Sequence, residues 1–406
     1  MTRPQAGRRD FTLLWTSQAA AELAYSTSLI ALPLLVLTVT GSPTQAGVIS
    51  FVDAAATLLA GLPAGAVADR FERRSVLLWC EGILTVIFGV ASLSLWLGTA
   101  SMTLLVVLAL LNGAATAVLF AAGTAMVPTL VPPDGLTRAV SMNSARTYAG
   151  QLIGTSAGGA LQAAKNALPF VAGCAAHAVG FVLLLFLRPG PPADRTERSQ
   201  GRQGHDLLDG IRWIRAHRFL AHGLFYATVT NFFYGAVYFV VIASAKTSGM
   251  NSGLVGAMAA LLGVGGLLGA LAVPLLQRIL TGARPVYAVL WLFTLVTAGI
   301  AVLPGGYTPG VLLGICAFTA PTASAYFTTY QLRLTPDSHR GRVMSVANVC
   351  GGGAGAVAPL AGGTLYDLCG RAPTLLGCAA ALAAVALSAL FSKTLRAAPQ
   401  LSDVAS

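Results

Sequence analysis

The chain has 406 residues and a net charge of +11, yet only 10% of its residues are charged and 55% are hydrophobic. Soluble domains carry about 25% charged residues, so these figures, with a mean hydropathy of +0.74, exclude a soluble enzyme, a disordered chain and a collagen-like fibre. They leave a polytopic membrane protein, and at about 20 apolar residues per spanning helix the chain holds roughly twelve spans with short loops.

The N-terminus carries Arg3, Arg8 and Arg9, and an apolar run follows from Phe11 to about Leu37. That run is too long for a signal-peptide core, and no small-residue cleavage site closes it, so it is read as a first span. Further apolar runs lie at about 45–68, 75–98, 102–126, 138–163, 167–187, 219–243, 252–277, 285–303, 308–331, 342–366 and 373–392. The expected fold is an all-α membrane protein with twelve transmembrane helices in two pseudo-symmetric halves. Those halves cover 1–187 and 219–406, the second with a short tail, and a cytoplasmic linker covers 188–218.

Basic residues test the count. With the N-terminus inside, 21 of the 25 arginines and lysines fall at inside positions. Lys165, Lys246 and Arg371 fall outside, and Arg146 alone lies within a span. One missed or extra helix would invert everything downstream, so both termini are expected to be cytoplasmic and the protein to be multi-pass in the plasma membrane. On this reading the positive charge marks topology, and no nucleic-acid partner is expected. The linker holds Leu207, Leu208, Ile211 and Ile214 at helical spacing beside Arg212 and Arg215, which predicts a short interfacial helix; a solvated connector is the alternative.

The halves also repeat. An offset of 204 residues, with no gap, aligns Gly61 with Gly265, Gly65 with Gly269, Arg74 with Arg278, Arg138 with Arg342, and Ala157-Gly158-Gly159 with Ala361-Gly362-Gly363. Two related six-span halves joined by a polar linker is the organisation of a rocking transporter, whose binding site lies near the midplane.

The stretch after the second span reads Gly65-Ala-Val-Ala-Asp69-Arg70-Phe-Glu-Arg73-Arg74. It resembles the loop motif of the major facilitator superfamily, G-x-x-x-D-R-x-x-R-R. Gly65 is expected to let helices approach closely, and Asp69 to sit at a helix end, where a neighbouring helix N-terminus favours a carboxylate. The arginines are expected to pair with Asp69 and with lipid phosphates, making a latch at the inner gate; a plain positive-inside loop is the alternative reading. The fifth span, Gly150-Gln-Leu-Ile-Gly154-Thr155-Ser-Ala-Gly158-Gly159, is similar to the antiporter motif of drug exporters in that superfamily, G-x-x-x-G-P-x-x-G-G, with Thr155 at the proline position. Close helix packing through small residues accounts for the same glycines. Thr40-Gly41-Ser42-Pro43 and Pro336-Asp337-Ser-His-Arg340-Gly341-Arg342-Val343 extend the likeness to the drug:proton antiporter branch, which includes macrolide-efflux and enterobactin-export proteins. The resemblance implies proton-driven export of a small molecule.

Acids inside spans are expensive, and so are candidate functional groups. Glu22 lies about eleven residues into the first span, roughly 16 Å deep. Gln18, Glu22, Tyr25 and Ser26 share one helical face, which suggests a wet cavity and makes Glu22 the leading proton-coupling site. Asp53, flanked by Ser50 and Thr57, is the second. Glu81 and Arg146 lie at similar depth and are candidates to pair with each other or with the gating loop. His177, alone in its span, reads as a packed residue. The second half has no acid inside a span. It has a hydroxyl-rich ladder of Tyr226, Thr230, Tyr234 and Tyr238 beside Asn231, then Thr322, Tyr326 and Tyr330, while the fifth span adds Asn143, Thr147, Gln151 and Thr155. These residues are the expected substrate cavity, suited to a large, mostly apolar molecule with a few hydrogen bonds, or to a cation on the ring faces.

The five histidines form neither HxxxH nor HExxH, no C-x-x-C joins the six cysteines, and no G-x-x-x-x-G-K occurs. An enzyme, a metal site, a cofactor and an ATP-hydrolysing loop are therefore not expected. The expected function is proton-coupled export of a lipophilic small molecule, an antibiotic or other natural product, by alternating access in a monomer. A siderophore exporter or a small-molecule importer is the alternative within transport. A transport-inactive sensor or scaffold is the alternative outside it.

Overall fold

A backbone surrounded by hydrocarbon has no water for its N–H and C=O groups, so each apolar run must close its hydrogen bonds within itself as a helix. The computed structural model describes residues 3–132, 135–188, 203–279, 283–303 and 305–396. Six helices form the first part: α1 (Arg3–Thr40), α2 (Pro43–Arg70), α3 (Arg73–Trp96), α4 (Met102–Leu130), α5 (Leu136–Ala164) and α6 (Leu168–Leu185). The remainder are α7 (Gln203–Ala216), α8 (Arg218–Thr247), α9 (Ser252–Ile279), α10 (Arg284–Val302), α11 (Thr308–Leu334), α12 (Asp337–Cys369), α13 (Arg371–Phe391) and the single turn α14 (Lys393–Arg396). No strand occurs among the described residues.

Eleven of these helices are long and apolar enough to cross a membrane. α5 is the twelfth of spanning length at 29 residues, and it falls short in apolarity because Arg138, Asn143, Arg146 and Gln151 interrupt it. The expected twelve-span, all-helical fold is therefore observed. Breaks between helices follow local chemistry. Gly41, at φ +68°, ends α1 in a conformation that side chains disfavour. Ser42 then caps α2 by accepting from the Gln45 amide at 3.3 Å, and Pro43 takes the first helical position, where its missing N–H costs nothing.

Packing divides the chain into two units. The first comprises the described residues of 1–197 and 246–260, and the second those of 198–245 and 261–406. In the first unit α1 packs on α5, α2 on α4 and α3 on α6. Small residues make these seams: a Cβ on Gly154 would lie 2.6 Å from Ser26 Cβ, and one on Gly158 would lie 2.6 Å from Ile30 Cγ2. The Thr27 hydroxyl donates across the seam to the Gly154 carbonyl at 3.1 Å. In the second unit the pairs of the same rank recur. α8 meets α12 through Gly235 on Ala358 and Gly362 on Ala236, α9 meets α11 through Gly265 on the Gly314 backbone, and α10 packs on α13.

The repeat is real, but its offset is not constant. The left-handed glycines that end corresponding helices are Gly41 with Gly249 and Gly98 with Gly306, each pair 208 residues apart. Gly158 and Gly362, which pack α5 on α1 and α12 on α8, keep the 204 spacing. The gapless alignment therefore holds for the last three helices of each half and slips by one helical turn in the first three. Gly61 and Gly265 show the consequence: open space lies beside Gly61, whereas Gly265 abuts the Gly314 backbone.

The linker helix expected around 207–215 is α7. Its Ile214 is buried with Leu220, Val343 and Val346, while Leu208 and Ile211 remain exposed. The side chain of Leu207 lies outside the described residues. Trp213 is stacked between two imidazoles, His217 at 4.4 Å and His339 at 4.5 Å. Arg342 reaches Asp209 at 3.4 Å, and Gly210 fits against the Arg342 carbonyl. This helix is held to the start of α12 by packing as well as by charge.

Candidate functional site

Glu22 is 6% exposed on α1, where three α5 residues meet it. The Thr147 hydroxyl donates to its Oε2 at a long 3.4 Å, the Arg146 charge acts on the carboxylate, and Gly150 leaves room for its stem, since a Cβ there would lie 2.5 Å from Glu22 Cγ. Gln18, one turn earlier, lies against Gly123 of α4. Its Nε2 and the Arg146 Nε are buried without hydrogen-bond partners. Gln18, Asn143 and Arg146 border a cavity of about 10 Å³ with Trp15 and Phe11. Tyr25 turns its ring edge-on to Phe120 at 5.8 Å. Gln151 is exposed and takes no part in this cluster.

Asp53 is 5% exposed, and Asn112 of α4 donates to its Oδ1 at 2.8 Å. The sequence reading missed Asn112, although an amide in the middle of an apolar span was a visible signal. Glu81 corrects an expectation more sharply. It does not join Arg146. Its Oε2 lies 2.7 Å from His177 Nδ1, and Ser17 donates to its Oε1 at 3.2 Å. Both members of the pair are buried, at 0% and 2% exposure, and Phe88 packs on the imidazole at 5.1 Å. His177 is thus packed, as expected, but not alone.

In the loop motif, the Asp69 side chain lies outside the described residues. The expected close approach at Gly65 is not found, since a Cβ there would meet nothing within 4 Å. The arginines do something the sequence did not suggest. Arg73 donates to the Ala125 carbonyl of α4 at 2.6 Å, and Arg74 donates to the Leu184 and Leu185 carbonyls at 3.2 and 2.8 Å. Those last carbonyls end α6, where the helix dipole favours a cation, and the Leu184 oxygen also accepts from the Leu187 amide at 3.2 Å. Arg70 is exposed and lies 5.9 Å from the Phe71 ring. In the antiporter-like motif all four glycines are close contacts: Gly150 on Glu22, Gly154 on Ser26, Gly158 on Ile30, and Gly159 on Gly256.

The second unit holds a cavity of about 360 Å³ walled by α8, α10, α11 and α12. Of the expected ladder, Tyr226, Thr230, Asn231 and Tyr326 line it. Tyr234, Tyr238 and Tyr330 are not among its lining residues. Tyr234 packs on Phe293 at 5.7 Å, and Tyr330 is buried between Tyr326 and Phe219 at 4.7 and 4.9 Å. Two lining amides, Gln331 and Asn348, were missed, although each is an amide in an apolar span like Asn143.

A family model described as Major Facilitator Superfamily matches residues 14–359. Among solved structures, the nucleoside transporter NupG aligns with a TM-score of 0.78 at 14% identity, covering 94% of this chain and 100% of its own. A bacterial homologue of the iron transporter ferroportin aligns at 0.70 with 17% identity, covering 94% and 98%. A bacterial homolog of the human lysosomal transporter Spinster aligns at 0.68 with 14% identity, covering 97% of each chain. No curated protein matches the sequence. At such identities the structures speak for the fold alone, whereas the family model spans most of the chain. The apolar helices, the repeated pairing of helices in two halves and that match lead to one conclusion: the chain belongs to the Major Facilitator Superfamily, as a multi-pass secondary transporter of small molecules rather than an enzyme.

Proposed function

We propose that this transporter exports a lipophilic small molecule, an antibiotic or other natural product, in exchange for protons, as in the drug:proton antiporter branch. The observation that carries the reading is the setting of Glu22. A carboxylate away from water is held by one long hydrogen bond from Thr147 and by the charge of Arg146. A group held so loosely gains and loses a proton at modest cost, and that is what coupling requires. Asp53, with Asn112 as its hydrogen-bond donor, is the second coupling site. The Gly65–Arg74 stretch acts as the inner gate, in a monomer in the plasma membrane with both termini in the cytoplasm. The antiporter-like glycines of α5 support export over uptake.

The test is accumulation in a pump-deficient bacterial host. Empty vector, wild type and Glu22→Gln are compared against macrolides, cationic dyes, quinolones and siderophores, with and without a protonophore. Wild type is expected to lower accumulation of one class, the protonophore to abolish this, and the variant to fail although it reaches the membrane. A Glu22→Gln protein that still pumps against a gradient would overturn the coupling role.

A further inference from the structure

The two cavities occupy one place in the repeat. Phe219, Gly223 and Tyr226 of the large cavity stand 208 residues after Phe11, Trp15 and Gln18 of the small one. Phe327, Thr328 and Gln331 stand 204 after Gly123, Thr124 and Val127. These are the offsets that the helix ends and the α12–α8 seam give independently. The same location therefore measures about 10 Å³ in one half and about 360 Å³ in the other. The substitutions contribute to the difference. Trp15 of the small cavity becomes Gly223 of the large one; Arg146, which lines only the small cavity, has its counterpart in Cys350, and Gly351, which lines only the large one, stands where the first half has Thr147. Phe327 in place of Gly123 runs the other way and leans on Gly223, where a Cβ would lie 2.5 Å from its Cε2.

The chemistry diverges as well. The first-half location faces Arg146, beside Glu22. None of the described residues lining the second is charged. Its polar groups are neutral, and they include the amides of Asn231, Gln331 and Asn348 from three different helices and the Thr228 hydroxyl, which is buried without a partner. An ion entering such walls would give up its water for no opposite charge. A flat, uncharged ring system loses far less: it stacks on aromatic faces, and its C=O and N–H edges meet amides that both donate and accept. The volume falls within the range of small-molecule sites.

We infer that the cavity between α8, α10, α11 and α12 binds the uncharged planar part of the substrate, and that its counterpart in the first half is closed by Trp15 and Arg146 and given over to charge. This deepens the transport reading above and rests on it only for the ligand's role as cargo.

Binding is measured on purified protein in lipid nanodiscs, with no gradient, so a failure of proton coupling would leave the result untouched. The probes share one ring system and differ in charge: 2-naphthamide, 2-naphthoate and the 2-naphthamidinium ion. Equilibrium dialysis is expected to show the neutral amide binding at least tenfold tighter than either ion. Gly223→Trp, which restores the first-half residue, and Asn348→Leu are each expected to weaken it tenfold or more. Where Gly223→Trp does not fold, Asn348→Leu decides. An ion that binds as tightly as the amide, an unchanged affinity in the folded variants, or no saturable binding of the amide would overturn the inference.

Discussion

Replacing His177 by alanine tests whether Glu81 is held as one member of a buried ion pair. In an ion pair, with the imidazole protonated, two unit charges at the observed 2.7 Å would attract by about 6 kcal/mol at an effective dielectric of 20. Desolvation offsets much of that gain while both partners are present. Once the imidazole is gone the offset remains and the gain does not, and Glu81 keeps only the Ser17 hydroxyl at 3.2 Å. Breaking such a pair from one side costs about 3–5 kcal/mol, which for a unit of this size lowers the melting temperature by roughly 6–20 °C. Removing both charges in Glu81→Leu/His177→Leu leaves no orphan, so the double variant is expected to melt above His177→Ala. Intrinsic-fluorescence melting of detergent-solubilised protein reads both. A His177→Ala protein melting within about 2 °C of the parent, or a double variant melting below His177→Ala, would refute the ion-pair account.

Gly158→Ala places a methyl group 2.6 Å from Ile30 Cγ2 and 2.8 Å from the Thr27 carbonyl, and backbone cannot rotate away. A loss of about 1–3 kcal/mol is expected, read as a lower melting temperature, and an unchanged melt would show that the α1–α5 seam is looser than drawn. Trp213→Ala removes the ring stacked between His217 and His339. Limited proteolysis within α7 is then expected to quicken several-fold while the spanning helices stay intact; equal cleavage rates would mean that Ile214 and Asp209 hold the helix unaided.

Much of the fold could be read from the chain because hydrocarbon permits so few backbone conformations. The apolar runs and the arginine bias gave twelve spans, and even α5 was found, although its polar face defeats an apolarity criterion. Relations between spans were harder. Glu81 and His177 are 96 residues apart, and nothing local distinguishes an acid that will meet a histidine from one that will meet an arginine. The gapless alignment slipped in the first three helices of each half for a compositional reason. With 45 glycines in the chain, Gly61 and Gly265 coincide without being equivalent, and the backbone angles of the helix ends reveal the one-turn slip. Part of the tyrosine ladder lines the cavity and part does not: i, i+4 spacing selects a helix face, but it does not say where along that face a cavity gives way to packing, and Tyr234 and Tyr330 fall on the packed side. The bonds of Arg73 and Arg74 to carbonyls of α4 and α6 were not foreseen, because a sequence does not display which backbone oxygens of neighbouring helices come within reach.

Thr155 and Pro359 stand at the same place in the two halves, and their difference bears on how α5 and α12 bend. The Thr155 hydroxyl donates to the Gln151 carbonyl at 2.7 Å, inside a helix that runs unbroken to Ala164. Pro359 has no N–H to offer the carbonyl of Gly355, so α12 lacks one rung of its ladder in mid-span, and Gly355 itself has open space beside it. In mechanical terms α5 is a rod and α12 carries a joint. At this place in the repeat the wall of the large cavity has a point at which it can bend, whereas the first half carries its missing rungs elsewhere, at Pro33 of α1, Pro63 of α2 and Pro128 of α4.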